Sequence, residues 1–140
     1  MATLMYSDAT LIVNSVDLSN HVRSLNITYE AEMLDDTVMG TSGTRSNFPG
    51  LKNWTMEANF LQDFDAGSID ATLFPLVGAT PFPIEAKPTS AAVSATNPKY
   101  SGNAVLETYP PITGEVGTLA MVTANFRSGG GSPLARTIIP

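Results

Sequence analysis

A mainly β fold, an antiparallel sandwich or barrel with one short α-helix, is what this sequence predicts. Two segments alternate strictly between apolar and polar side chains, the period of a strand with one buried and one wet face. About six short β-prone runs are separated by turn chemistry, and a single stretch carries helical spacing. No internal repeat is present. Together these point to antiparallel sheets closed over one core.

The elements follow in chain order. Leu11–Val13 is a short β-prone run, Asn14-Ser15 reads as a turn, and Val16–Leu18 returns as the second arm of a hairpin. From Arg23 to Glu32, Leu25, Ile27, Tyr29 and Ala31 lie on one parity, with Asn26, Thr28, Glu30 and Glu32 on the other. Lys52–Phe60 repeats the pattern with Trp54, Met56, Ala58 and Phe60 against Asn53, Thr55, Glu57 and Asn59. It is expected to pair with the first strand. Between them, Leu34–Gly50 carries Asp, Gly, Ser, Asn and Pro and reads as a long inter-strand loop. It also carries Leu34, Val38, Met39 and Phe48, which a solvent loop does not need. A loop of this length is unusual unless it has a task.

Asp63–Gly78 is the helix. Ser68 or Asp65 suits its cap, and Asp70 sits in the first turn. Ile69, Leu73, Leu76 and Val77 share a face. Pro75 forces a stop or kink near Leu73–Phe74. Phe82–Lys87, Tyr100–Tyr109 and Leu119–Phe126 complete the strands, with a small-residue turn at 90–99 and a Pro/Gly turn at 110–117. Ser128–Pro140 contains Gly129-Gly130-Gly131-Ser132, a linker composition, then Leu134, Ile138 and Ile139. The division is one β domain over 1–127 and a flexible C-terminal arm over 128–140.

With 140 residues the chain fits one domain and buries about 68–70% of its unfolded surface, enough for a core without staples. Charged residues are 14%, against about 25% in typical soluble domains. A subunit that hides surface against neighbours needs less surface charge than a monomer. The net charge of −6 argues against holding phosphates. With no cysteine, disulfides and thiolate chemistry are excluded. Met1–Ser7 lacks a signal-peptide pattern, and no apolar run approaches a membrane span. Synthesis and folding in the cytoplasm are expected.

Chemistry-bearing constellations are sparse. His21 is the single histidine, and no nucleophile-elbow pattern accompanies it. Asp63–Asp70 resembles the first half of a calcium loop, but Phe74 stands where the closing acid belongs. The Gly129–Gly131 run has no lysine and no phosphate-cradle context. Asn26-Ile27-Thr28 and Asn53-Trp54-Thr55 match the glycosylation triplet inside strands. Asp35-Asp36 reads as a solvated acid pair, and Trp54, alternating with Met56 and Phe60, reads as core. No enzyme, cofactor or metal is expected.

The stretch from Glu32 to Trp54 resembles the major tail tube proteins of long-tailed, siphovirus-like bacteriophages. Asp36, Thr37, Gly40, Arg45 and Pro49–Lys52 carry the resemblance, with an alternating strand on each side. The helix candidate follows in the family's place, and Val116–Phe126 resembles its closing strand. The resemblance implies a structural virion protein of six-membered rings stacked into a hollow tube, with strands of all six subunits joined in one inner barrel. It implies DNA ejection through the lumen without specific binding, and contacts with tape measure, terminator and baseplate proteins. No membrane is implied; the place is the virion tail.

On this reading Leu34, Asp36, Val38, Met39, Arg45 and Phe48 form the inter-ring or inter-subunit loop, and Leu134, Ile138 and Ile139 the arm contacts. Glu30, Glu32 and Glu57 are candidate lumen-facing residues whose charge lets DNA slide; their faces suit an outer surface equally. Alternatives are a capsid decoration protein or tail terminator, a carbohydrate-binding β-sandwich presenting Trp54, and an enzyme using His21.

Overall fold

The computed structural model of the chain describes residues 4–41 and 43–138. The chain opens with a hairpin. Thr10–Val13 (β1) turns through Asn14 and Ser15, at φ of 49° and 68°, into Val16–Asp17 (β2). Two consecutive positive φ values match the right-handed twist of paired strands. A 3-10 turn over Ser19–His21 leads to two long strands, Val22–Asp35 (β3) and Asn47–Leu61 (β4). The helix Ile69–Leu73 (α1) follows, then Phe82–Lys87 (β5), Lys99–Thr108 (β6), Met121–Ser128 (β7) and Ala135–Thr137 (β8).

Among the described residues all eight strands lie in one antiparallel sheet of order β2-β1-β5-β6-β7-β4-β3, with β8 beside β6. Its register aligns the apolar parities of successive strands. Leu11 faces Ala86, Phe82 faces Ala104, and Leu106 faces Phe126. Phe126 faces Met56, which faces Ile27. A one-residue slip anywhere would turn a strand's apolar set to water, so burial itself holds this register. The inward side chains form a single core cluster. One short helix cannot cover so wide a face. The sheet therefore curls over its own inner side, and Ile69, Leu73 and Leu76 plug the core. Phe82 and Phe126 meet edge to face, with ring centroids 6.1 Å apart.

The sheet is not closed into a barrel. Its outermost strands, β2 and β3, are not bonded to each other, because two residues cannot zip along fourteen. The helix stops where Pro75 requires. Leu73 ends α1, and Phe74–Leu76 continues as a 3-10 turn with the proline near its start, where its missing N–H costs nothing. Ser68 occupies the cap position without a side-chain capping bond.

The expected loop Leu34–Gly50 is shorter than its composition suggested. Leu34 pairs Phe48 and Asp35 pairs Asn47, so both strands run on and only residues 36–46 connect them. Pro49 is accommodated because this end of β4 is paired on one side only.

The C-terminal arm is docked over its described length, and its glycines make a turn. Gly130 and Gly131 sit at φ of 62° and 74°, turning the chain back. β8 then pairs with Lys99–Ser101, and Leu134 packs on the core. The Trp54 indole N–H donates to the Ser132 carbonyl at 3.0 Å, beneath the arm. Ile138 is half-buried, and Ile139 lies outside the described residues.

Candidate assembly surfaces

β3 bonds to β4 along one side, and among the described residues no strand bonds its other side. Along this fourteen-residue edge, alternate residues therefore present open N–H and C=O groups. Such an edge invites pairing with another chain unless it is short, bulged or proline-guarded. β3 is long, contains no proline, and its two register shifts fall between Val22 and Ser24 and between Ala31 and Met33. The middle is regular. Beneath this edge runs a groove of about 870 Å³, lined by Leu25, Ile27 and Tyr29 of β3 and by Ala86, Tyr100 and Leu134 across from them. The inner face of β3 is thus only partly covered by its own subunit.

Beyond Tyr29 and Trp54 the β3–β4 pair leaves the core and projects as a free-standing hairpin. Six further residues at about 3.3 Å each carry it roughly 20 Å out. Met33, Leu34, Val38, Met39, Phe48 and Leu51 are exposed on it, Met39 fully. Apolar side chains lie on both parities because neither face has a core to meet. The base of the tip is nonetheless held by its own bonds. The Thr37 hydroxyl donates to the Ser46 carbonyl and accepts the Ser46 N–H, and the Asp36 N–H also reaches the Ser46 carbonyl. Arg45 bonds Asp35 at 2.9 Å. The Thr37 side chain and amide, with Arg45, hold the Asp35 carboxyl below its ordinary pKa. Leu34, Asp36, Val38, Met39, Arg45 and Phe48 therefore belong to one projection, with Leu34 and Phe48 on its strands.

The outer face of β3, β4 and β7 is polar along its middle, with Leu61 and Met121 closing it at one end. Asn26, Glu57 and Asn125 form one row, Thr28, Thr55 and Arg127 a second, and Glu30 stands beside Asn53. Arg127 is held by Glu107 of β6. Glu30 and Glu57 share this face; Glu32 falls in the register shift and lies over Gly50.

A third surface was not recognised in the sequence. The connection 110–120 between β6 and β7 exposes Ile112, Val116 and Leu119. The sequence reads as a turn over 110–117 and as strand from Leu119, but β7 starts at Met121, so Leu119 joins Ile112 and Val116 on the connection.

The remaining candidates are structural. His21 Nε2 lies 2.9 Å from Asp63, tying the turn before β3 to the segment before α1. The Asp65 amide first, then His21, lower the Asp63 pKa. Trp54 is 1% exposed, so it offers no sugar-stacking platform. Among the described residues no three His, Cys, Asp or Glu side chains converge on a metal position. No helix among them is long and apolar enough to cross a membrane.

No family model and no curated protein sequence matches the chain. Solved structures do. A chain in the virion of a native gene transfer agent particle superposes with a TM-score of 0.72 at 12% identity, covering 95% of this chain and 99% of that one. A chain in the tail of an empty gene transfer agent particle, refined with C6 symmetry, gives 0.64 at 13%, covering 86% and 83%. A chain in the sheath/tube terminator of an extracellular contractile injection system gives 0.62 at 14%, covering 98% of each. At these identities the likeness is one of fold. The protein shares its fold with chains of phage-like virions, tails and injection systems, the class of assembly to which the Glu32–Trp54 resemblance points; the siphovirus-like type is not distinguished by this likeness.

Proposed function

We propose that this chain is a structural subunit of a phage-like tail, assembling with copies of itself into six-membered rings that stack as a hollow tube. The observation that carries the proposal is the β3–β4 pair: a long open edge at one end of the sheet, prolonged into a hairpin with apolar groups on both faces. The open edge and its groove suit a lateral neighbour within a ring. The hairpin suits a neighbour along the axis. Fully burying each large side chain is worth about 1.5–3 kcal/mol, and association itself costs about 4–15 kcal/mol, so several must act together.

Six-fold rings draw support from the C6 tail structure that shares the fold. The polar face with Glu30 and Glu57 suits a lumen in which DNA passes without being held. Tape measure, terminator and baseplate proteins are the further partners this role requires, in a virion tail made in the host cytoplasm. The role is structural, with no catalysis, metal or cofactor. A second reading, a tail terminator, draws on the likeness to a chain of the sheath/tube terminator.

Negative-stain microscopy of the purified protein over a range of concentrations tests both. Long hollow rods with six-fold end views are expected. Single rings that never lengthen would favour the terminator, and a monomer at every concentration would overturn both.

A further inference from the structure

The apolar hairpin tip needs a receiving surface, and the 110–120 connection has the features of one. This loop is built rather than loose. Gln62 pins both of its stems, its side-chain amide donating to the Pro111 carbonyl at 2.7 Å and its backbone N–H to the Ala120 carbonyl at 3.0 Å. The Thr118 hydroxyl accepts the Glu115 N–H, and the Thr118 N–H returns to the Glu115 carbonyl. Such bonding fixes the backbone while leaving Ile112, Val116 and Leu119 at 87%, 105% and 65% exposure. Side chains held outward on an ordered loop lose little freedom when covered.

Position and charge favour one occupant. The hairpin tip lies at the Asp35–Asn47 end of the long pair, and the loop at its other end, where Leu61 faces Met121. The fifteen residues of β4 put roughly 45 Å between the two. Copies repeated along this direction bring the tip of one onto the loop of the next, a head-to-tail contact that never closes on itself. Arg23 stands beside the loop, a guanidinium nitrogen 3.4 Å from the Met121 sulfur, and among the described residues no carboxylate pairs with it. On the tip, the Asp36 carboxylate likewise has no cationic partner. Each surface also carries the opposite sign beside it, Glu115 on the loop and Arg45 on the tip.

We infer that the 110–120 loop with Met121 and Arg23 receives the hairpin tip of a second copy of this chain, Asp36 meeting Arg23 across the contact. The inference rests on the tube reading and names its axial partner surface.

The chain has no cysteine, so introduced thiols report contacts cleanly. In Met39→Cys/Val116→Cys protein the two thiols of one subunit are too far apart to join. Tubes are first verified by microscopy, then oxidised with copper phenanthroline. A ladder of covalent multimers is expected from this pair and none from Met39→Cys/Asn125→Cys. Verified tubes with no ladder, or with an equal ladder from the Asn125 pair, would overturn the receiving surface and leave the tube standing. Failure to find tubes would overturn the tube reading itself, and this inference with it. As a second measurement, Arg23→Asp and Asp36→Arg should each raise the assembly threshold about tenfold or more, and the double variant should recover most of that loss. A double variant no better than the worse single one would contradict the pairing.

Discussion

Gly102 on β6 is where the docked arm meets the core, and replacing it has a calculable consequence. A Cβ built there would stand 2.9 Å from Trp54 Cζ2 and 3.1 Å from the Pro133 carbonyl oxygen. The indole is fully buried and its N–H is held by the neighbouring Ser132 carbonyl, so neither obstacle swings aside freely. Overpacking of this kind costs about 1–3 kcal/mol. For a domain of this size, each kcal/mol lowers Tm by roughly 3–5 °C. Gly102→Ala should therefore melt about 3–15 °C below the parent. Trp54 is the only tryptophan, so its fluorescence reports the same site. The emission should shift to the red as the arm lifts and water reaches the indole. An unchanged Tm and spectrum would refute the claim that the arm is part of the packed core.

Other perturbations separate folding from assembly. Met39→Ser with Phe48→Ser removes two exposed side chains and should leave the subunit's stability within about 0.5 kcal/mol, while raising the concentration needed for tubes at least tenfold by light scattering. Tyr109 donates to Asp70 and accepts from Gln62, so Tyr109→Phe should cost about 1–3 kcal/mol in denaturant melts by removing both bonds. Burial pushes the Tyr109 pKa up to about 12. Its contribution is complete below about pH 10 and lost as pH rises through 12; ultraviolet titration should show one of the four tyrosines ionising last. The Asp63 carboxyl is held below its ordinary pKa, so its contribution is complete above about pH 4 and lost as pH falls further. Asp63→Asn should flatten the acid limb of stability against pH.

The parts of the fold legible in the sequence are those where one face meets the core. Trp54, Met56, Ala58 and Phe60 are all buried, so their alternation reports a physical boundary between apolar and wet sides. Asn14-Ser15 adopts the turn its chemistry favours, and Pro75 ends the helix on schedule. Legibility fails where that boundary is missing. Residues 30–35 and 47–52 form a ladder with water on both sides, so Met33, Leu34, Phe48 and Leu51 fall on mixed parities, and Leu34 and Phe48, with Pro49 and Gly50, read as loop. The Gly129–Gly131 run reads as a flexible linker because glycine composition is the same for a mobile chain and for a turn with positive φ. Long-range contacts distinguish them, the Trp54–Ser132 bond across 78 residues and the β6–β8 pairing among them. The residues of the hairpin tip stood out as apolar groups lacking a core. The 110–120 loop shares that property but spreads its apolar groups among Pro and Gly.

Hydrogen exchange of the β3 peptide backbone, read by mass spectrometry in the isolated subunit and in the assembled state, tests the account most directly. On the edge facing away from β4, amides of residues 24–31 should exchange fast in the subunit and become strongly protected once copies join. Assembly that leaves those amides exchanging at the subunit's rate would contradict the claim that this open edge is what the protein uses to meet its neighbour.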